Sequence, residues 1–274
     1  MRTLFALLLL LAMANAEFLI EKVEVTISDI KPDGSARVHE SIKFLMFGNY
    51  SQSIYDSGIS NNDLSFWSTN IGLKDLKLHI NTANVDVRDF RLRPQPRTKC
   101  NPIQGVCHGE IVLDYVTYPS YKDNTTTEQV PGTGLFTIQQ YKPRTRRYTI
   151  NPASLSFTTT LEGNIILDEN SYLIVELPQE SMLLDVNPQP ADINLRLPLH
   201  VDELSWIDIV LVKFSLVFDV EDSIDKEVAD FFAGISNRIS RTLGSPEGSA
   251  LIVLLSILIG SYLYITMSKR KGEE

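Results

Sequence analysis

Cys100 and Cys107 are the only cysteines in the 274-residue chain, and six residues separate them. In an oxidising compartment, thiols this close are expected to close one disulfide loop, which adds about 2 kcal/mol by restricting the unfolded chain. A metal site built on Cys100, Cys107 and His108 is one ligand short of a structural zinc centre and lacks its usual spacing, so no metal is expected. The four histidines, His39, His79, His108 and His200, are scattered, and none belongs to an HExxH or another metal-ligand pair at helical spacing. There is no GxSxG elbow and no Walker loop; Gly132-Thr133-Gly134 is a lone glycine pair in a turn. With both cysteines oxidised, no thiol nucleophile remains. Carboxylates abound, yet the sequence singles out no acid and base pair. Nothing implies a cofactor.

Two basic runs interrupt an otherwise acidic chain. Arg88, Arg91, Arg93, Arg97 and Lys99 lead into the cysteine loop, and Lys142, Arg144, Arg146 and Arg147 form the second run. If the strands that carry them pair, they make a cationic strip suited to an acidic protein, an anionic polymer or lipid headgroups. The competing reading is neutralisation by neighbouring carboxylates, or protection of a sheet edge. Phe66, Trp67, Tyr118 and Tyr121 lie near loops and suit either a binding patch or packing. Asn49-Tyr50-Ser51 and Asn124-Thr125-Thr126 are N-glycosylation sequons, usable at Asn49 and Asn124 only in a host that glycosylates exported chains.

The elements that must position these residues read as strands. Val23, Val25 and Ile27 alternate, Lys31-Pro32-Asp33-Gly34 supplies a turn, and Val38, Ile42, Phe44 and Met46 alternate again, which predicts an opening hairpin. Glu40 falls on the apolar face of the second strand, where a carboxylate is expected at a sheet edge or paired with a basic group. Further strands are predicted at 76–80, 85–92, 111–116, 135–138, 147–150, 155–161, 172–177 and 193–197. A long strand is predicted from Trp206 to Val220, with Val210, Val212, Phe214, Leu216 and Phe218 on one side. Many short strands with long loops predict a mainly β chain of one or two β-sandwich domains. The boundaries fall at 17–145 for an N-terminal β domain and 146–221 for a second β domain or a continuation of the first. From residue 222 the period becomes helical: Ile224, Val228, Phe231, Ile235 and Ile239 mark an amphipathic helix over 222–243.

The two ends fix an expected location. Arg2, an apolar run from Leu4 to Met13 and Ala14-Asn15-Ala16 have the layout of a signal peptide over residues 1–16, with cleavage after Ala16. Residues 250–267 carry no charge, and 18 residues at 1.5 Å rise cover about 27 Å, enough to span a bilayer. Lys269-Arg270-Lys271 follows, which places the tail 268–274 in the cytoplasm and the N-terminal domain outside it. The formal charge is −9 overall; taking away Arg2 and the net +1 of the tail leaves −11 on the exported part, which argues against nucleic acid as a partner.

Val23-Glu24-Val25, Pro32-Asp33-Gly34-Ser35-Ala36-Arg37-Val38-His39-Glu40, Leu173-Ile174-Val175-Glu176-Leu177-Pro178, Val186-Asn187-Pro188 and Leu204-Ser205-Trp206 resemble patterns in uncharacterised archaeal single-pass membrane proteins with a β-sandwich ectodomain. The plan is also similar to that of ribophorin-type subunits of oligosaccharyltransferase. The first resemblance implies a fold and a location, and the second an accessory role beside a membrane enzyme; neither implies functional residues.

The expectation is therefore a membrane-anchored extracytoplasmic binding or scaffolding module rather than an enzyme. Its partners would be the lipid bilayer and an acidic extracytoplasmic protein or polymer. The alternatives are an extracytoplasmic hydrolase of glycans or peptides and a sensor acting through a membrane partner.

Overall fold

The computed structural model of the protein describes residues 16–73, 75–120, 130, 132–142, 144–190 and 196–221. The chain divides into two compact units, Met1–Glu221 and Asp222–Glu274, and every described residue belongs to the first. The expected amphipathic helix, the apolar stretch 250–267, the tail and the apolar part of the expected signal peptide lie outside the described residues. Among the described residues no helix is long and apolar enough to cross a membrane.

The described unit is mainly β. β1 (Glu17–Ser28) and β2 (Ala36–Phe47) form the predicted antiparallel hairpin, with Ile27 opposite Val38 and Glu17 opposite Phe47. The turn closes through Gly34 N–H to the Lys31 carbonyl at 2.9 Å, and Gly34 sits at φ 83°, where a side chain is strained. A bulge between Ile20 and Lys22 lets Phe18 and Ile20 join the core on one side of it and Val23, Val25 and Ile27 on the other. β3 (Asp86–Asn101) and β4 (Val106–Tyr118) form a second, longer hairpin whose β4 pairs with β2. β9 (Ser171–Glu176) then adds to β1 in parallel and β11 (Glu203–Ile207) to β9, giving the order β11-β9-β1-β2-β4-β3. Residues on both sides of position 145 thus share one sheet.

A second sheet has the order β10-β13-β6-β5, from β5 (Phe136–Lys142), β6 (Thr145–Ile150), β10 (Ser181–Asn187) and β13 (Ser215–Glu221). A small third sheet holds the two-residue strands β7 (Thr158–Thr159), β8 (Ile165–Ile166) and β12 (Val210–Leu211). The two larger sheets contribute to one hydrophobic cluster: Ile42, Phe44, Ile111 and Leu113 from the first, Phe136, Tyr148, Leu216 and Phe218 from the second. Gly109 is required by that packing, because a Cβ there would lie 2.6 Å from the Phe44 ring.

Three predicted strands differ. The long strand from Trp206 to Val220 is broken into β11, β12 and β13 by left-handed residues at Asp208 (φ 50°) and Lys213 (φ 50°). Trp206 therefore belongs to the first sheet and Phe218 to the second, while Val212 is 49% exposed. Segments 76–80 and 155–161 are mostly irregular and meet through a single bridge between Ile80 and Leu155. Segment 193–197 falls largely outside the described residues. Helix α1 (Gly48–Gly58), and the helical turns Leu64–Phe66 and Trp67–Ile71 that follow it, are not foreshadowed by the alternation. Ser51, Gln52, Tyr55 and Gly58 form the buried face of α1 at helical spacing, but only Tyr55 among them is a large apolar residue.

Glu40 is not at an edge. It lies in the interior strand β2 with 0% exposure and accepts from the backbone N–H of His79 at 3.0 Å, from His79 Nδ1 at 2.7 Å and from the Tyr115 hydroxyl. Burial, with the Glu40 carboxylate beside it, holds the Tyr115 phenol well above its ordinary pKa. These contacts bind the irregular segment carrying His79 to the core face of the first sheet. Glu40→Ala leaves three buried donors without an acceptor and should cost about 3 kcal/mol or more, whereas Tyr115→Phe should cost about 1–2 kcal/mol. Urea unfolding of both variants checks the ranking, and equal losses would show that the carboxylate does not organise the cluster.

Candidate functional site

β3 is an edge strand of the first sheet, and it is irregular. Its register with β4 shifts at Arg88/Arg91, Gln95/Thr98 and Thr98/Asn101, and Asp89 (φ 54°) and Lys99 (φ 48°) are left-handed. Such irregularities bend an edge strand away from further pairing and lift its side chains off the sheet. The Gln95 carbonyl, next to the second shift, accepts from the Tyr55 hydroxyl of α1 at 2.5 Å, and burial pushes the Tyr55 phenol up to about 12. Arg97 reaches the same helix, donating to Gln52 Oε1 at 2.7 Å and lying 3.2 Å from Asp56. Gln52 in turn donates to the Gly105 carbonyl at 2.9 Å. The far end of the β3–β4 hairpin is closed by the Cys100–Cys107 disulfide, as the spacing predicts. Asn101 Oδ1 accepts from the Ile103 and Gln104 N–H groups inside the loop, and Ile103 at its tip is 95% exposed.

The braced hairpin forms one wall of a groove of about 740 Å³ on the face of the first sheet that points away from the core. Gln95, Thr98 and Lys99 line that wall. Lys43 of β2 and His108 and Glu110 of β4 lie between the walls; Glu21 and Lys22, at the β1 bulge, and Asn170 form the other. From β1 to β3 the sheet crosses three strand spacings, about 14 Å. Two side-chain contacts cross strands, His108 Nδ1 with Glu21 at 2.9 Å and Lys43 with Glu110 at 3.9 Å, while Lys22 pairs with Glu24 of its own strand at 2.5 Å. Lys22 also stands 4.1 Å above the Tyr172 ring. Lys99 is exposed, has no ion pair among the described residues and adopts a backbone conformation that side chains rarely take.

The basic run of β3 is thus divided by its surroundings. Arg88 pairs with Asp86 at 2.6 Å and lies 4.7 Å from the Tyr118 ring; Arg93 donates to Asp114; Arg97 is held by α1. Arg91 is exposed with no ion pair among the described residues, and Lys99 lines the groove. The second run is in another sheet, so the two do not join into a single strip: Arg147 of β6 makes a two-pronged pair with Asp219 at 2.8 and 2.9 Å. Trp67 is fully buried and Phe66 packs against the core, so both serve packing; Tyr121 lies outside the described residues. Asn49 is exposed in the first turn of α1, but Ser51 of its sequon is buried and accepts from Glu17 N–H at 2.9 Å; Asn124 lies outside the described residues. Among the described residues no group of three or more His, Cys, Asp or Glu is placed to hold a metal ion. Sequence reasoning missed the groove because its lining comes from four strands and a turn. The β3 prolines, Pro94 and Pro96, were the local signal that this strand is an irregular edge.

No protein-family model matches the chain, and no curated protein matches it. Solved structures similar to part of it include yeast LTA4 hydrolase in complex with bestatin (TM-score 0.32, 9% identity, 75% of this chain and 29% of that chain). Native leukotriene A4 hydrolase from Saccharomyces cerevisiae gives a TM-score of 0.31 at 9% identity over the same shares. The chain spans under a third of the length of these proteins, and likeness at this level carries no argument about its activity.

On this face Asp114 lies between His39 Nδ1, at 2.8 Å, and the Arg93 guanidinium. Burial raises its pKa, but the hydrogen bonds from His39 and Arg93 outweigh it and hold the carboxyl below its ordinary value. A depressed carboxylate contributes stability that is present above its unfolded pKa, about 3.9, and is lost as pH falls through the lower folded value. Asp114→Asn should therefore flatten the fall in melting temperature below about pH 4. An unchanged acid limb in thermal scans would show that the pair contributes nothing. Arg97→Ala, which removes the anchor to α1, should cost about 1–2 kcal/mol, against at most about 0.5 kcal/mol for Arg91→Ala. Chemical denaturation measures both, and equal effects would remove Arg97 from the brace.

Proposed function

We propose that the protein is a single-pass, membrane-anchored extracytoplasmic module: a β-sandwich followed by an amphipathic helix and one transmembrane helix, whose groove binds a partner outside the cytoplasm. The observation that carries this reading is the groove itself, open on the outward face of the first sheet and walled by a braced hairpin that a disulfide closes. β13 ends at Glu221 opposite Thr145, and Val220 stands opposite Ser181, which follows β9 by a short turn. β9 ends beside Ile27, near the β1–β2 turn, and Gly34 of that turn touches Ile138 of the second sheet. The disulfide is at the opposite end of the first sheet, where Glu17, Phe47 and Val106 meet, and the groove lies between that end and the middle of the sheet, at the level of Lys22, Lys43 and Glu110. About ten residues of extended strand, roughly 30 Å, separate the two ends.

The N-terminus supports the same reading. β1 starts at Glu17, the residue that cleavage after Ala16 would make first, and its nitrogen already donates to Ser51 Oγ. The hydrolase alternative gains nothing from the groove, where Glu21 is tied to His108 and Glu110 to Lys43.

The experiment uses the full chain on intact cells, with a C-terminal tag and a photo-crosslinking residue in place of either Thr98 in the groove or Leu161, an exposed turn residue. The tag should resist external protease, and light should give an adduct from position 98 that is absent from position 161. A tag digested from outside, or identical adduct patterns from both positions, would sink the proposal.

A further inference from the structure

Resting on the reading that the groove is a binding site, we propose that its ligand is an acidic oligosaccharide of the uronate type rather than a segment of protein. The argument is the chemistry of the lining. Protein interfaces are anchored by aromatic and aliphatic side chains in dry pockets, and their centres are depleted in Lys and Glu. This groove has the reverse composition: apart from Pro96 and Gly109, every lining residue carries a polar side chain, and the central ones are Lys43, His108 and Glu110. An apolar side chain laid there would meet the carbon stems of these residues but would strip water from their polar heads without replacing its hydrogen bonds.

A hydroxylated chain meets those groups differently. Its hydroxyls both donate and accept, so they can satisfy the outward lone pairs of Glu110 and Glu21 as well as the N–H groups of Lys43, Gln95 and Asn170. The charge favours an acidic sugar over a neutral one. Three lysines face two glutamates in this groove although the chain as a whole carries −9, and Lys99 is the groove's cation left without an ionic partner among the described residues. A uronate carboxylate beside Lys99 forms a charge-assisted pair that a neutral sugar lacks.

The test is titration of the full-length protein in detergent micelles with a tetramer of galacturonate, its neutral galactose counterpart and tetraglutamate. The uronate should bind at least about tenfold more tightly than either of the others. Lys99→Ala should weaken uronate binding about tenfold and remove its preference over the neutral sugar, whereas Lys99→Arg should retain it. Lys77→Ala, outside the groove, should leave it unchanged. Melting temperatures within a degree or two of the parent show that the variants remain folded. Tetraglutamate binding as tightly as uronate would overturn the proposal in favour of an acidic peptide. Uronate binding no tighter than the neutral sugar, or insensitive to Lys99→Ala, would also overturn it. A position-98 adduct on cells without uronate binding would remove the ligand class and leave the binding module standing.

Discussion

Glu40 sits in the middle of β2 with none of its surface exposed, and a carboxylate is tolerated there only while its oxygens are filled. The partners are drawn from places far apart in the chain: Tyr115 from β4, and both the ring and the backbone nitrogen of His79. The segment around His79 has almost no ladder bonds of its own, so the carboxylate substitutes for them. Ser156 N–H then donates to the His79 carbonyl at 2.7 Å, and the His79 ring lies 5.0 Å from Phe157. One buried acid therefore ties two irregular segments and a strand of the first sheet to a common point.

The groove depends on a second brace at the other end of the same sheet. An edge strand with three register shifts would be poorly defined alone, since each shift removes ladder bonds. Tyr55, Arg97 and Gln52 supply replacements from α1, and the disulfide closes the tip. Helix α1 thus sets the height of the groove wall without lining it. The floor is rigid for a different reason, because β2 and β4 are interior strands paired along their full lengths.

The first hairpin and the disulfide were legible in the sequence because their determinants are local. Alternation at Val23, Val25 and Ile27 has the period of the pleat, Pro32-Asp33-Gly34 is a turn by its own conformational preferences, and Cys100 and Cys107 are close in the chain before any folding. The break at Asp208 and Lys213 was hidden, since a continuing alternation of Val and Phe looks the same whether or not a strand changes sheets. Helix α1 was hidden too: its buried face is Ser51, Gln52 and Tyr55, whose value lies in the hydrogen bonds they reach.

By itself the sequence determined the β character, the opening hairpin and the covalent loop, all of which follow from periodicity or short separation. Only the tertiary structure decided which charges are spent internally and which face a ligand. Arg93 and Arg97 look like Arg91 and Lys99 in the sequence, and differ because their guanidinium groups reach Asp114 and Asp56, although it is Arg91 that stands opposite Asp114 in the strand register. The fate of a charge depends on what lies within a few ångströms, and here those neighbours are more than 20 residues away along the chain.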